Sequence, residues 1–275
     1  MRIGVGLPSS VPGIEPARLI EWGQRAESLE FSTLGVVDRV AYECFEPMSL
    51  LAAAAASTER IGLATVILIA PLRNTGVLAK EAATVHALSG GRLTLGVSVG
   101  ARIEDYEAAG TAHSGRGRRL SDQLVDVHSL WDSNGSRPTV LVGGAGDLAF
   151  KRMAEQSDGY VHGGGPPRAF ERAATAARTA WVDSARPGRP QLWGQGYFAL
   201  GDDAISDGYD FMRDYYAFVG PFAERIAEGL LTTPQDVVQF ARGYSEAGCD
   251  ELILMPATSG LEQLERLADV LGSTR

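Results

Sequence analysis

Two short glycine-containing motifs in the sequence could carry chemistry. The first is Gly-Val-Ser-Val-Gly at residues 96–100, which matches the G-x-S-x-G motif of α/β hydrolases, where the serine nucleophile sits on a sharp turn between a strand and a helix. Here valines flank Ser98 and continue the alternation of Leu93 and Leu95, which indicates a strand at this position. A serine hydrolase with Ser98 as its nucleophile therefore stays open only as a remote alternative.

The second motif, Gly-Ala-Gly-Asp-Leu-Ala at residues 144–149, matches the dinucleotide-binding pattern G-x-G-x-x-G/A. That pattern also requires an acidic residue about 20 positions later, at the end of the next strand. The sequence instead has Gly-Gly-Gly-Pro-Pro at residues 163–167, which disfavours a nicotinamide-binding Rossmann domain. Small residues before a helix can still direct several backbone N–H groups at a phosphate.

The elements that position these motifs alternate between apolar runs and helical patterns. Because parallel strands are covered on both faces, they appear as short, almost continuous apolar segments. Eight such segments predict a (β/α)₈ TIM barrel, a single domain over residues 1–275. A doubly wound open sheet has the same alternation and is the alternative. We place the strands at residues 2–7, 33–37, 61–70, 93–100, 139–142, 159–162, 192–200 and 250–255.

Composition excludes several classes of protein. The formal net charge of −9 argues against a nucleic-acid binder, which needs a basic face to replace the counterions of phosphate. The longest apolar run, residues 61–72, is too short to span a bilayer as a helix, and the first residues lack the features of a signal peptide. Cys44 and Cys249 have no metal-ligand or disulfide spacing. We therefore expect a cytoplasmic protein with no membrane partner and no metal site.

In a barrel, the carboxyl ends of the fourth and fifth strands are neighbours, and active sites lie at that end. Gly143, Gly144 and Ala145 would then face the loop that follows Gly100. Arg119, at the start of the next helix, could supply a cation to the same place. The alternative for Arg119 is a solvated helix arginine.

Three segments of the sequence, residues 61–131, 137–161 and 246–257, resemble the luciferase-like flavin-dependent oxidoreductases and monooxygenases. The resemblance implies a (β/α)₈ barrel that binds FMN, or alternatively the deazaflavin coenzyme F420, over the carboxyl ends of its strands. It implies hydride transfer or oxygen incorporation on a small-molecule substrate, with NAD(P)H or a separate flavin reductase as the electron source. A homodimer is also expected.

The same resemblance assigns cofactor-binding roles to individual residues. Gly143, Gly144 and Ala145 match the amides that hold the cofactor phosphate, and Arg119 matches a phosphate-binding arginine. A non-proline cis peptide that supports the flavin ring is common in the family at the end of the third strand, and we place it at Val66–Ile67. The full set of predicted cofactor contacts is Thr65, Val66, Ile67, Gly100, Arg119, Gly143, Gly144 and Ala145.

The predicted catalytic residues are Asp38, Arg39 and His162. Many members of the family have an acidic residue followed by histidine at the end of the second strand, whereas this sequence has Asp38 followed by Arg39. An arginine is always protonated near neutral pH, so it can orient an anionic substrate but cannot transfer a proton. This departure keeps open a catalytically silent flavin-binding barrel.

Overall fold

The computed structural model describes residues 1–132 and 137–272. Within these residues, eight parallel strands pair in sequence order and close into a barrel. Closure is made by β1 and β8, where Arg2 pairs with Glu251 and Val5 with Leu254. This closure confirms the (β/α)₈ barrel and excludes the open sheet. The strands are β1 (Arg2–Gly6), β2 (Thr33–Val36), β3 (Gly62–Ile69), β4 (Leu93–Ser98), β5 (Thr139–Gly143), β6 (Gly159–Val161), β7 (Gln191–Phe198) and β8 (Glu251–Pro256).

Helices follow the strands and cover the outside of the barrel. Thr233 and Asp236 form a capping box at the start of α10. Short 3₁₀ turns lie at Ala70–Leu72 and Ala217–Val219. The helices are α1 (Pro16–Ser28), α2 (Pro47–Ser57), α3 (Thr75–Leu88), α4 (Ile103–Ala108), α5 (Arg116–Asp132), α6 (Asp147–Gln156), α7 (Pro167–Asp183), α8 (Asp202–Tyr215), α9 (Phe222–Ala227), α10 (Pro234–Glu246) and α11 (Glu262–Gly272).

Side chains that alternate along each strand form two apolar cores. The outer core lies between the strands and the helices, and the inner core fills the barrel. Glycines on the inner face make room for large neighbours: a Cβ on Gly35 would lie 2.7 Å from Ile253 and 2.8 Å from Val66. Because the interior is filled by side chains, a ligand has to bind above the strand ends.

Ser98 is the last residue of β4 and pairs with Ile69 of β3. Its Oγ accepts a hydrogen bond from the Gly100 N–H at 3.3 Å. Ser98 thus lies in a strand, as expected, and the sharp strand-to-helix turn that a hydrolase nucleophile needs is not formed there.

Candidate active site at the carboxyl ends of the strands

The end of β3 forms an irregular edge at the barrel mouth. The Val66–Ile67 peptide bond is cis, at the position predicted from the sequence. The pairing of β3 with β4 changes register between Thr65 and Leu68, and the Thr65 hydroxyl donates to the Gly96 carbonyl at 2.7 Å. Thr65 is fully buried, so its hydroxyl holds the two strands together at the irregularity.

Val66 and Ile67 lie between Gly35 of β2 and Gly143 of β5. Val66 packs on Gly35, and a Cβ on Gly143 would lie only 2.5 Å from Ile67 Cδ1. Val66 is 1% exposed and belongs to the filled interior of the barrel, whereas Ile67 is half-buried. Ile67 is therefore the aliphatic side chain on which a planar ring could pack here.

Residues 143–147, named here the phosphate loop, connect β5 to α6. Gly144 and Gly146 have φ values of +134° and +89°, a backbone conformation that favours glycine. Gly146 is the N-cap of α6 and its position is not capped by a side chain, and residues 145–148 are exposed. The free N–H groups and the dipole of this ten-residue helix favour an anion here. The loop therefore fits a phosphate group, although the Asp147 carboxylate in the first turn opposes it.

Tyr160 holds the phosphate loop from below. Its hydroxyl donates to the Gly144 carbonyl at 2.8 Å, and the His162 Nδ1 atom lies 3.3 Å from the same hydroxyl. The His162 ring packs against Phe170, with 5.8 Å between ring centroids. His162 therefore lies with Tyr160 on the outer, helix-covered side of β6, close to the phosphate loop.

Burial lowers the pKa of His162 to about 4, although a hydrogen bond with the Gly164 backbone partly opposes this shift. The imidazole is consequently neutral at pH 7, which suits a packing partner better than a group that exchanges protons near neutrality. Its catalytic role stays a prediction.

The Asp38 carboxylate is hydrogen-bonded to two neighbouring residues. Its carboxylate accepts from Arg73 at 2.5 and 3.1 Å and from the Ile69 N–H at 2.8 Å. Asp38 is almost fully buried, with 1% of its side chain exposed. These contacts tie the end of β2 to the turn after β3, beside the Val66–Ile67 edge. A proton-transfer role for Asp38 stays a prediction.

Arg39 points into a group of aromatic rings, with its guanidinium carbon 4.9 Å from the centre of the Tyr215 ring and 5.5 Å from that of Phe218. Its Nε atom is buried and has no hydrogen-bond partner among the described residues. Among the predicted catalytic residues, Arg39 is thus the one whose polar atoms are least engaged within the protein.

Gly100 lies in the loop before α4, and Arg119 lies in the first turn of α5. Arg119 is half-buried and donates to the carbonyls of Ala112 at 3.0 Å and Ser114 at 3.5 Å. Gly100 has φ +65°, and a Cβ there would lie 2.7 Å from Ile69. Contacts of these two residues with a cofactor stay predictions.

The sequence and the structure were compared with known proteins. A family model described as luciferase-like monooxygenase matches residues 1–227. The chain belongs to the luciferase-like monooxygenase family. The predicted family resemblance is thereby confirmed, and it covers the strands and loops that form the mouth from β1 to β7.

Two relatives of this luciferase-like chain align with part of its length. A 147-residue alignment with an uncharacterized Mycobacterium tuberculosis protein gives 33% identity and covers 46% of this chain and 51% of that protein. An F420-dependent glucose-6-phosphate dehydrogenase of Intrasporangium calvum is 31% identical over 183 residues, which cover 59% of this chain and 52% of the enzyme. The chain therefore spans about half the length of these curated relatives.

Solved structures support the same luciferase-like fold. An F420-dependent secondary alcohol dehydrogenase, in complex with an F420–acetone adduct, gives a TM-score of 0.84 at 14% identity and covers 100% of this chain and 99% of its own. The oxygenating constituent of 3,6-diketocamphane monooxygenase from the CAM plasmid of Pseudomonas putida, in complex with FMN, gives 0.71 at 15% identity, with coverage of 92% and 91%. At these identities the likeness concerns the fold.

One polar side chain of this luciferase-like barrel was missed by the sequence analysis. Gln195 lies on the inner face of β7 and is 6% exposed. Its Nε2 donates to the Gly163 carbonyl at 2.9 Å, and its buried Oε1 has no partner within residues 1–132 and 137–272. The inward alternation of Trp193, Gln195 and Tyr197 was the signal that could have found it.

Neither a metal-binding group of side chains nor a membrane-spanning helix is present among the described residues. Residues 1–132 and 137–272 contain no group of three or more His, Cys, Asp or Glu side chains arranged to hold a metal ion. Over the same residues, every helix is too short or too polar to cross a membrane.

Proposed function

We propose that this protein is a flavin-dependent oxidoreductase that binds its cofactor across the carboxyl ends of the strands. The observation that carries the proposal is the phosphate loop, in which two glycines with positive φ lead into the uncapped N-terminus of α6. It lies next to the half-buried side chain of Ile67. An anion-binding loop beside an aliphatic side chain suits a flavin phosphate and its ring system.

When bound, a cofactor of this type supplies the two-electron redox chemistry, and the protein supplies binding and orientation. The amides of the phosphate loop would hold the phosphate, with Arg119 as an additional cation. Tyr160 fixes the loop through the Gly144 carbonyl. The aromatic rings around Arg39 keep water away from that side of the mouth.

FMN is the cofactor that we propose from the sequence, and coenzyme F420 is the second candidate. Both cofactors occur among the similar proteins, F420 in the dehydrogenase relative and the alcohol dehydrogenase structure and FMN in the diketocamphane monooxygenase structure. The phosphate loop and Arg119 would bind a phosphate of either cofactor. The reductant is proposed to be NAD(P)H or a separate flavin reductase, and the substrate a small molecule.

Titration of the purified protein with FMN and with F420, followed by absorbance and fluorescence, tests the proposal and decides between the two cofactors. We expect saturable binding of at least one at micromolar concentration. If neither binds, the proposed function is wrong. Cofactor that is reduced in the protein but turns over no substrate in a broad panel would instead support the catalytically silent barrel.

Arg119→Ala tests the phosphate assignment, with Arg118→Ala on the same helix as its matched control. Arg118 is exposed, whereas Arg119 is half-buried. Loss of a charge-assisted hydrogen bond should weaken cofactor binding by about 1.5–3 kcal/mol in Arg119→Ala. Equal dissociation constants for the two variants would remove Arg119 from the phosphate site.

A further inference from the structure

Two segments at the carboxyl end of the barrel meet in a group of aromatic side chains. Tyr42 comes from the loop after β2, and Tyr215, Tyr216 and Phe218 come from the end of α8 and the 3₁₀ turn that follows it. We call these four residues the aromatic cluster. The ring centroids of Tyr42 and Tyr215 are 5.2 Å apart, and those of Tyr215 and Tyr216 are 5.0 Å apart. Below them, the hydroxyl of Tyr197 at the top of β7 accepts a hydrogen bond from Tyr216 at 3.3 Å.

Two arginines enter this cluster from different loops. Arg39 follows β2, and Arg102 follows β4 as the N-cap of α4. The guanidinium carbon of Arg102 lies 4.4 Å from the centre of the Phe218 ring, and that of Arg39 lies 5.5 Å from the same centre. Both guanidinium groups therefore lie around one ring, although their positive charges repel each other.

Few of the hydrogen-bonding groups of these arginines are used. Arg102 is only 8% exposed, and one of its terminal nitrogens donates to the Tyr215 carbonyl. Arg39 makes one long contact, 3.5 Å, with the Asp38 carbonyl. The Nε atoms of both residues are buried and have no hydrogen-bond partner among the described residues. A buried donor without a partner loses its hydration and gains nothing in return.

The nearby carboxylates are directed at other groups. Asp38 is paired with Arg73. Asp105 is fully buried and interacts electrostatically with Arg39, but its Oδ1 accepts from the N–H groups of Val40 and Ala41, each at 2.8 Å. Asp214, near the end of α8, accepts from the Tyr42 hydroxyl. The two guanidinium groups therefore keep unused donors in a setting with little access to water.

We propose that Arg39 and Arg102 together bind the carboxylate or phosphate group of the substrate, and that the apolar body of the substrate packs on the aromatic cluster. The planar guanidinium group matches an oxyanion through paired hydrogen bonds. An anion at this point pairs with both guanidinium groups and accepts from the unpaired Nε groups. The identification of this ligand as a substrate rests on the proposed function. The existence of the anion site does not depend on it.

The experiment measures ligand binding by calorimetry, without any turnover. The probes are benzoate and phenyl phosphate, which carry an oxyanion on a small apolar ring, and benzamide, which has the shape of benzoate without its charge. We expect at least one anion to bind at least about tenfold more tightly than benzamide. Comparison of the two anions shows whether the site prefers a carboxylate or a phosphate. Equal affinity for benzoate, phenyl phosphate and benzamide, or no binding of either anion, overturns the proposal.

Variants of the two arginines give the second part of the test. Arg39→Gln and Arg102→Gln should each weaken binding of the preferred anion by about tenfold or more and leave benzamide binding unchanged. The matched control is Arg213→Gln, because Arg213 of α8 also lies over a tyrosine ring, that of Tyr209 at 5.6 Å, but is exposed and paired with Glu224. If Arg39→Gln and Arg102→Gln bind the anion as tightly as the unmodified protein does, the proposal is overturned. The arginines are then only packing partners of the rings.

Folding and cofactor binding are measured on the same samples. If Arg102→Gln does not fold, as judged by circular dichroism, Arg39→Gln and the comparison of charged and uncharged probes still decide the question. Failure of FMN and F420 to bind, together with retained anion binding, refutes the proposed function but not the anion site. Cofactor binding without anion binding refutes only the anion site.

Discussion

Replacement of Asp38 by asparagine tests whether this residue holds the barrel mouth together. The buried carboxylate pairs with Arg73, which is 16% exposed, and loss of one partner of a buried ion pair costs about 3–5 kcal/mol. Asparagine can still accept from the Ile69 N–H, and Glu46 at 3.1 Å still faces the Arg73 guanidinium. We therefore expect Asp38→Asn to lower the free energy of unfolding by about 2–3 kcal/mol, which corresponds to a fall in Tm of about 4–12 °C.

The assay is thermal and urea unfolding of the purified variant, with Glu46→Gln as the control. Glu46 contacts the same arginine, but its side chain is 47% exposed, so loss of its charge should cost less than about 1 kcal/mol. The reasoning is refuted if the Tm of Asp38→Asn falls no further than that of Glu46→Gln. Unchanged stability together with slower cofactor reduction would instead favour a catalytic role for Asp38.

Three further predictions concern other parts of the site. Burial lowers the pKa of His162 to about 4 from an unfolded value of 6.5, so the unfolded chain binds more protons than the folded one below pH 6.5. Between pH 6.5 and 4.5 the free energy of unfolding of the unmodified protein should therefore fall by about 2 kcal/mol more than that of His162→Phe, as measured by urea titration. Parallel pH dependence of the two proteins would contradict this. Tyr160→Phe removes the hydroxyl that holds the phosphate loop, which should cost about 0.5–1.5 kcal/mol of stability and weaken cofactor binding; unchanged cofactor affinity would refute the positioning role. Gly100→Ala and Gly110→Ala both place alanine where the glycine has a positive φ, +65° and +61°, but only the Cβ at residue 100 would meet Ile69. The free energy of unfolding of Gly100→Ala should therefore fall further, by the about 1–3 kcal/mol that overpacking costs. Equal Tm values for the two variants would refute that contact.

The sequence predicted the strands because each one is a continuous apolar run bounded by turn residues. β3 and β4 have this character most clearly, and the structure places them where the apolar runs are. The short helix α4 was not predicted, since it has six residues and too few positions to show a helical period. The helix α3 begins at Thr75, where Asn74 caps it by accepting from the Val77 N–H.

The orientation of side chains and their contact partners could be predicted from the sequence less well than the strands. The family resemblance indicates Asp38, and His162 is a candidate because it ends the predicted sixth strand, but which face a residue presents depends on the register of its strand and on its neighbours. Arg73, the ion-pair partner of Asp38, is 35 residues away along the chain, and Arg102 meets Tyr215 across 113 residues. Contacts of that range depend on the closed barrel, so no local pattern indicates them.

The end of α8 bridges the barrel mouth, since the Tyr215 carbonyl accepts from Arg102 in the loop after β4. This contact covers one side of the mouth, while residues 145–148 after β5 are exposed. We therefore expect small molecules to enter and leave past the exposed residues after β5, beside the place proposed for the cofactor. We expect this to impose an order on the ligands: a compound bound beneath the aromatic cluster should dissociate more slowly once the cofactor is in place.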